Sequence, residues 1–218
     1  MECGGPPSTT KQNYIFGYGS LIEDESRMRT TPSARNAFPV KVKGIRRGWW
    51  ARGAASGLTT TFLGALDDPA ACCNGVIYPV SAQEIAATDQ REDAGYKRCE
   101  INPNDIKMSD GREAPPDGAV FWAYVNLIPP DKVGDNLPSP EFPMVQSYVD
   151  ICINGCLEVE GKYPTAAGFT QAFIDLTDEW SKYWVNDRLY PRRPFIFQPS
   201  ATPIAKALKA APKTADLF

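Results

Sequence analysis

Histidine is absent from the 218-residue sequence. This excludes Ser–His and Cys–His catalytic relays, zinc sites that rest on imidazole, and the general base that enzymes use most often. Acid–base chemistry would therefore fall to Asp, Glu, Lys, Tyr or Cys side chains. Long apolar runs are also missing, since no stretch approaches the roughly 18 residues of a membrane span. No apolar segment near the start resembles a secretory signal. We therefore expect a cytoplasmic protein that does not contact membranes.

The charge is nearly balanced, which limits the kinds of partner. The sequence has 23 Lys and Arg against 26 Asp and Glu residues, a formal net charge of −3. A nucleic-acid binder needs a concentrated basic face, which this composition does not favour. With 43% hydrophobic residues, the chain can bury a sizeable core. We expect no nucleic-acid partner.

The six cysteines do not have the spacing of a disulfide framework. Cys72 and Cys73 are adjacent in a predicted strand, where their side chains point to opposite faces. Cys152 and Cys156 lie one helical turn apart among apolar residues. We expect mostly buried, reduced thiols, with reactive thiols or metal ligands as the alternative.

The order of predicted elements indicates one domain of the α+β class. The first half alternates short strands and turns, the second half is more helical, and no regular alternation of strand and helix is present. We therefore expect a strongly curved or barrel-like sheet. Residues 1–12 are predicted to be a flexible N-terminal tail, residues 13–197 the domain, and residues 198–218 a Pro/Ala/Lys-rich C-terminal arm.

Local patterns define the individual elements. Ser81 and Glu84 form a capping box, which predicts a helix over residues 82–92 that ends before Gly95. Apolar residues at helical spacing predict further helices over residues 143–158 and 166–176. Aromatic and β-branched runs predict strands at residues 13–18, 38–42, 46–51, 59–66, 75–80, 96–101 and 119–127.

The first candidate site is residues 16–22, with the sequence FGYGSLI. It is not a dinucleotide fingerprint, because Ile22 stands where the third glycine should be. It is not a nucleophile elbow either, because Ser20 lacks the following X-Gly and no histidine could activate it. What remains is a strand that runs into a loop whose backbone N–H groups can converge on a carboxylate or an oxyanion. A plain turn is the alternative.

The second candidate site is residues 89–96, with the sequence DQREDAGY. Ile85, Asp89 and Glu92 share one face of the predicted helix, which begins apolar and ends in two acids. Acids at a helix C-terminus oppose the helix dipole by about 0.3–1 kcal/mol each. Local rules are broken most often at functional sites, so Glu92 is a candidate general base. A solvated cluster of charges is the alternative.

Other aromatic and charged residues give weaker signals. Tyr148 has a polar tip on an apolar helix face, so it either finds a partner in the core or points into a pocket. Residues 186–194 are cationic and Pro-rich, which suggests a structural or docking segment. The aromatic residues that we expect in the core or in a cavity wall are Trp49, Trp50, Trp122 and Tyr124.

Taken together, these segments resemble the gamma-glutamylcyclotransferase superfamily, including its ChaC-like and AIG2-like branches. Residues 14–22 are similar to the first strand of the family and its Tyr-Gly-Ser-Leu loop. Residues 75–78 with residues 89–96 are similar to the family block GV.Y … D.RE..GY. Residues 148–161 are similar to a later helix with the pattern Y…I..GA...G. The blocks occur in this order over about residues 14–165.

The resemblance implies a small mixed β-barrel flanked by helices, with the substrate pocket near the Tyr-Gly-Ser-Leu loop. It also implies an enzyme that cyclises a γ-glutamyl group to 5-oxoproline and releases the attached amine, with no cofactor and no metal. Glu92 matches the catalytic acid/base of the family. The substrate-binding residues would be Tyr18, Gly19, Ser20, Leu21, Tyr96 and Tyr148. The partner would be a small γ-glutamyl substrate, and the protein a monomer or homodimer.

Two departures from the family pattern leave the substrate open. Glu23 follows Ile22, where the glutathione-specific ChaC branch usually carries Trp. The extra Asn of the mammalian-type branch is missing from the loop. Glutathione, γ-glutamyl amino acids and γ-glutamylamines therefore stay as candidate substrates. A non-catalytic, AIG2-like protein that binds a metabolite or a partner is the alternative, although binding alone would not require Glu92. A thiol redox protein is a further alternative.

Overall fold

The computed structural model describes residues 11–52, 60–92, 95–113, 115–191 and 200–217. The strands in this part of the chain are β1 (Asn13–Gly17), β2 (Phe38–Arg52), β3 (Thr61–Val80), β4 (Tyr96–Ile101), β5 (Ile106–Met108), β6 (Val120–Asn126), β7 (Met144–Val145), β8 (Thr177–Asp178) and β9 (Trp184–Val185). The α-helices are α1 (Asp24–Thr30), α2 (Ala82–Glu92), α3 (Gln146–Lys162), α4 (Phe169–Asp175) and α5 (Ala201–Ala210).

One mixed sheet organises the molecule. Its strand order is β4-β6-β1-β3-β2-β5, and β8 pairs with β2. Strand β1 runs parallel to β6 and antiparallel to β3, so the first strand lies near the middle of the sheet. Strands β7 and β9 form a separate parallel pair. The sheet is curled like a half barrel and flanked by helices, which confirms the predicted α+β class.

Strands β2 and β3 are longer than predicted. The prediction divides this hairpin into shorter strands at residues 38–42, 46–51, 59–66 and 75–80, but β2 and β3 are each continuous. The register shifts where Lys43 faces Cys72 and Ile45 faces Asp67. A bulge in β3 therefore takes up part of the gap between the predicted strands at residues 59–66 and 75–80.

Helix α2 begins and ends at the predicted residues. The backbone N–H of Ser81 donates to Oε2 of Glu84 at 2.8 Å, and the N–H of Glu84 donates to Oγ of Ser81 at 3.2 Å. These two reciprocal bonds confirm the capping box. Helix α3 begins later than predicted because Met144 and Val145 pair with Trp184 and Val185 as a short strand.

The sheet is buried on both faces. Ile15 of β1 packs in the cluster beneath the helices, together with Val149 of α3 and Phe173 of α4. Its neighbours Tyr14 and Phe16 belong to a second cluster on the opposite face. This division follows from the alternation of side chains along a strand. The end of β1 therefore emerges between two packed layers, and this is where the candidate site lies.

The last part of the chain packs on the domain. Ile204 and Leu208 of α5 are fully buried and belong to the cluster beneath the helices. In the predicted C-terminal arm, residues 200–217 are thus integrated with α3 and α4. Residues 1–10 of the predicted N-terminal tail lie outside the described residues, so its flexibility and the domain boundaries stay predictions. None of the helices in the described part of the chain is long and apolar enough to cross a membrane.

Candidate functional site

The loop after β1 meets helix α3 at its glycine. Residues Ser20–Ile22 form one 3-10 turn, closed by a bond of 3.0 Å from the N–H of Ile22 to the carbonyl of Gly19. A Cβ atom at Gly19 would lie 3.2 Å from the hydroxyl oxygen of Tyr148. The missing side chain therefore lets Tyr148 reach the loop. Residues 19–22 are called the cavity loop below.

The cavity loop presents backbone donors to a cavity of about 550 Å³. Within the described residues, no oxygen accepts a hydrogen bond from the N–H groups of Gly19, Ser20 or Leu21. All three residues line the cavity. Successive N–H groups that lack acceptors attract anions. The geometry thus favours the interpretation as an anion-binding nest over a plain turn.

The cavity brings together all the site residues predicted from the sequence. These are Tyr18, Gly19, Ser20, Leu21, Glu92, Tyr96 and Tyr148. Their catalytic and binding roles stay predictions. Polar residues that the sequence reasoning did not assign to a site also line the cavity, namely Ser26, Arg29, Tyr78, Thr88 and Tyr124.

Tyr18 is a neutral hydrogen-bond donor in the cavity wall. Its hydroxyl donates to the carbonyl of Tyr124 at 2.8 Å. Burial raises the pKa of Tyr18 well above its ordinary value, and the nearby Tyr96, Tyr148 and Glu92 raise it further. The same electrostatic coupling places these side chains in one cluster, although they come from different elements of the fold.

Asp89 holds the neighbouring wall in place. The hydroxyl of Tyr124 donates to Oδ1 of Asp89 at 2.8 Å, and Nε of Arg98 donates to the same oxygen at 3.0 Å. Burial and the Asp89 carboxylate together keep the pKa of Tyr124 far above its ordinary value. Asp89 thus has a structural use, whereas Glu92 on the same helix face lines the cavity.

Glu92 is the last residue of α2 and is half-buried. Its carbonyl accepts from the N–H of Gly95 at 3.2 Å, which turns the chain toward β4. Asp93 and Ala94 of the predicted motif lie outside the described residues. A carboxylate and a set of free N–H donors thus line one cavity whose size suits a small metabolite. Such a site can move a proton and stabilise a negative oxygen.

Arg29 adds a positive charge to the cavity lining, and the sequence did not predict Arg29 as a site residue. Nη2 of Arg29 donates to Oε1 of Glu25 at 2.6 Å, and the Arg29 side chain remains 49% exposed. The helix that carries it, α1, is short and has few apolar residues, so no periodicity predicted it. The available signal was the acidic first turn and basic last turn, which complement the helix dipole.

A buried guanidinium supports the cavity loop from behind. Arg47 of β2 is fully buried and donates to the carbonyls of Tyr18 at 3.2 Å, Asn74 at 2.6 Å and Phe173 at 2.7 Å. Burial lowers the pKa of Arg47. The three carbonyls replace the water that the guanidinium loses, and they tie Tyr18 to β3 and α4.

The buried thiols are unsuited to redox chemistry. Burial raises the pKa of Cys73 to about 11 and that of Cys156 well above its ordinary value. The thiolate is the reactive form, so these two side chains stay inert. Cys72, Cys73, Cys152 and Cys156 are free cysteines, as expected. Among the described residues, no group of three or more His, Cys, Asp or Glu side chains could hold a metal ion.

The described part of the segment 186–194 has a structural role. The N–H and Oγ of Ser147 donate to the Asp187 carboxylate at 2.7 and 2.6 Å. Arg188 donates to Asp150 through two bonds of 2.7 Å. These contacts fix the start of α3, which carries part of the cavity wall. Residues 192–194 lie outside the described residues.

No family model and no curated protein matches the chain. The fold is similar to a structure described as a gamma-glutamyl cyclotransferase, with a TM-score of 0.53, 13% identity, and 90% of this chain and 99% of that chain covered. A protein from Homo sapiens described as uncharacterized gives a TM-score of 0.53 at 12% identity, with 89% of this chain and 99% of that chain covered. A yeast gamma-glutamyl cyclotransferase specific to glutathione gives a TM-score of 0.47 at 13% identity, covering 76% of this chain and 95% of that chain. The chain therefore has a gamma-glutamyl cyclotransferase-like fold, as the resemblance of its motifs implied.

Proposed function

We propose that the protein is a gamma-glutamyl cyclotransferase. It would cyclise the γ-glutamyl group of glutathione, a γ-glutamyl amino acid or a γ-glutamylamine to 5-oxoproline and release the attached amine, in the cytoplasm. The observation that carries the proposal is that Glu92 and the free N–H groups of the cavity loop line one cavity. The similarity to a solved gamma-glutamyl cyclotransferase supports it at the level of the fold.

The reaction is an intramolecular aminolysis. The α-amine of the γ-glutamyl group attacks its own γ-carbonyl carbon, so a new C–N bond closes the five-membered ring. The C–N bond to the leaving amine then breaks. Ring closure supplies a high effective concentration of the nucleophile. The protein therefore has to handle protons and the charge that develops on the γ-oxygen.

Glu92 is proposed to carry the protons. The α-ammonium has an ordinary pKa of about 8 and must lose a proton before its nitrogen can attack. After the attack, the same nitrogen loses a second proton, which Glu92 transfers to the leaving nitrogen. The released amine takes up one proton from water, so the overall reaction neither consumes nor produces protons. Because Glu92 acts by giving and taking a proton, an amide at this position cannot replace it.

The cavity loop is proposed to bind negative charge. The free N–H groups of Gly19, Ser20 and Leu21 can stabilise the γ-oxyanion or hold the α-carboxylate. Tyr18 is held neutral and bonded to Tyr124, so it shapes the wall without adding charge. The Tyr148 hydroxyl lies close to Gly19 and can contribute a further donor.

Arg29 favours substrates whose leaving group is anionic. Its half-exposed guanidinium is on the cavity lining, on the side of α1. A guanidinium matches the geometry of a carboxylate and repels an ammonium group. Among the candidate substrates, those whose leaving group is a peptide or an amino acid, including lysine, keep a free carboxylate on it, whereas γ-glutamylamines of simple alkylamines do not. We therefore infer that the preferred leaving group is an amino acid or a peptide.

The test is 5-oxoproline release, measured by mass spectrometry. Purified protein would be incubated with glutathione, several γ-glutamyl amino acids and γ-glutamyl-lysine. Glu92→Gln is expected to abolish turnover and to keep the fold and substrate binding. Glu100→Gln serves as the matched control, since Glu100 is an exposed residue of β4. Turnover by Glu92→Gln within about tenfold of wild type, or about 1.4 kcal/mol, would contradict the assignment.

The alternative function is non-catalytic binding. It predicts that a folded protein binds a γ-glutamyl compound, detected by calorimetry, without any release of 5-oxoproline. The Glu92→Gln variant would then bind the compound as wild type does. The presence of a carboxylate in the cavity favours the enzyme, because binding alone does not require a group that moves protons.

A further inference from the structure

Two carboxyl groups meet behind the cavity loop. Glu23 directly follows the loop and is 2% exposed, and its Oε2 accepts from the N–H of Ser26 at 2.5 Å. Glu158 of α3 reaches the same place, and the proximity of Glu23 raises the pKa of the Glu158 carboxyl. The other contacts of Glu158 are with Asn154, whose Nδ2 donates to Oε1 at 3.0 Å, and with Asp24, whose N–H donates to Oε2 at 3.2 Å.

Two neighbouring carboxyl groups can form a hydrogen bond to each other only while one of them holds a proton, because ionised carboxylates only accept. Burial raises the pKa of Glu158 to about 7, and the neighbouring Glu23 carboxylate adds to this increase. Like charges at such close range disfavour the doubly ionised pair. Glu158 therefore keeps its proton up to about pH 7 and can donate it to Glu23.

The pair lies at the junction of the cavity loop and α3. A Cβ atom at Gly155 would lie 2.4 Å from the backbone nitrogen of Glu23, so loop and helix touch at this point. Nη1 of Arg27 donates to the carbonyls of Leu21 at 3.1 Å and Ile22 at 2.9 Å. Helix α3 also supplies Tyr148 to the cavity. A change at this junction would alter both the N–H donors and the tyrosine.

We propose that Glu23 and Glu158 are positioning residues that share one proton and so hold the cavity loop against α3. When the pair loses this proton, the two carboxylates repel each other, the loop separates from the helix, and binding of the anionic substrate weakens. The junction thus makes the site sensitive to pH between mildly acidic and mildly alkaline conditions. The statement about substrate binding rests on the proposed function, and the statement about the junction does not.

Other charged groups face the pair and modify its titration. Arg27 favours the ionised form of Glu158, but it also forms an ion pair with Asp24. Lys162 likewise pairs with Asp24. The titratable and charged groups around the pair are Asp24 and Arg27 of α1, Cys156, Glu160 and Lys162 of α3, Tyr163 after α3, and Tyr78 of β3. Asp24 thus partly neutralises the two cations, so they offset only part of the repulsion within the carboxyl pair once it ionises.

The direction of the pH effect on stability follows from proton binding. Between the ordinary pKa of Glu158, 4.5, and its raised value of about 7, the folded state binds more protons than the unfolded state. The free energy of unfolding therefore falls as pH rises through this range. The pair contributes fully to the free energy of unfolding below pH 4.5, and this contribution is lost above about pH 7.

The first experiment follows urea unfolding from about pH 5 to about pH 8.5 in wild type, Glu158→Gln and Glu100→Gln. A glutamine donates an N–H to Glu23 at every pH, so it reproduces the protonated pair and cannot lose it. Between about pH 5 and about pH 7, we expect the urea midpoints of wild type and of the Glu100→Gln control to fall relative to the midpoint of Glu158→Gln. Above about pH 7, the midpoints of all three proteins should change with pH in parallel. A constant difference between wild type and Glu158→Gln over the whole range would overturn the proposal.

The second experiment measures KM for the best substrate at both ends of the range. Wild-type KM is expected to rise by about tenfold relative to that of Glu158→Gln, which corresponds to about 1.4 kcal/mol. Comparing the two proteins at each pH cancels the ionisation of the substrate itself. If no compound is turned over but the unfolding difference is present, the junction is supported and the proposed function fails. If turnover is present and neither difference is seen, the junction fails and the proposed function remains.

Discussion

The two sides of the cavity use the same residue type in opposite ways. Glu92 ends α2, is half-buried and lines the cavity. Glu158 lies on α3 behind the cavity loop, where the nearby Glu23 carboxyl raises its pKa. One carboxylate faces the space where a substrate would bind, and the other faces protein. The difference teaches that an unusual acid in a sequence can serve chemistry or packing, and that its neighbours decide which.

The strongest way to test this contrast is to remove each acid's ability to exchange protons. Glu92→Gln is expected to lower kcat by about thousandfold or more, because general acid–base catalysis contributes about 10²–10⁴-fold. Its unfolding midpoint should keep the wild-type dependence on pH, since the Glu23–Glu158 pair is intact. A flattened pH dependence in Glu92→Gln would mean that the two acids are coupled, and the contrast would fail.

Gly155→Ala would break the junction on the Glu158 side by sterics alone. The added Cβ meets the backbone of Glu23 at 2.4 Å, so α3 or the loop has to move. We expect a loss of about 1–3 kcal/mol in the free energy of unfolding, and KM higher by about tenfold. Gly161→Ala is the control on the same helix, because in the described part of the chain its added Cβ would have nothing within 4 Å apart from its chain neighbours and the backbone of its own helix. Equal effects of the two substitutions would point to helix propensity instead of the junction.

Arg29→Gln sharpens the comparison by testing the charge on the substrate. For γ-glutamyl amino acids we expect KM to rise by about tenfold, or about 1.4 kcal/mol, because the carboxylate of the leaving group loses its cation. For a γ-glutamyl alkylamide, which has no such carboxylate, KM should stay unchanged. The exposed Arg35 offers a control of equal charge. A similar rise in KM with both substrates would assign Arg29 to the γ-glutamyl group itself.

The smallest effect is expected from the cap of the helix that carries Glu92. Ser81→Ala removes one side of the capping box and should lower the free energy of unfolding by about 1 kcal/mol. Because Glu92 lies at the far end of α2, kcat should stay within about twofold. Chemical denaturation and initial rates would measure the two quantities. A loss of kcat beyond tenfold would show that α2 positions Glu92 as a rigid unit.

Local signals explain what could be predicted from the sequence. The capping box of Ser81 and Glu84 is a short-range pattern, and α2 has the predicted bounds. The turn after β1 is likewise encoded in adjacent residues. These two segments carry Glu92 and the cavity loop, so the central part of the candidate site was predicted together with its motifs.

Long-range packing explains what was missed. Tyr18 and Tyr124 are 106 positions apart and meet because β1 lies beside β6, a pairing that no local pattern encodes. The Glu23–Glu158 contact depends in the same way on how α3 crosses the loop.

At the C-terminus, Pro203 suggested an arm, yet proline is tolerated in the first turn of a helix. The spacing of Ile204 and Leu208 was the signal for α5.

The buried Arg47 has a consequence for the order in which the molecule is made. Its guanidinium joins the carbonyl of Tyr18, from the start of the chain, to Phe173 and Thr177, from much later in the chain. A growing chain that has not yet reached Phe173 and Thr177 lacks two of the acceptors for this cation. The loop would therefore acquire its final shape late in synthesis. Full support of the loop by Arg47 would therefore wait until α4 has emerged from the ribosome.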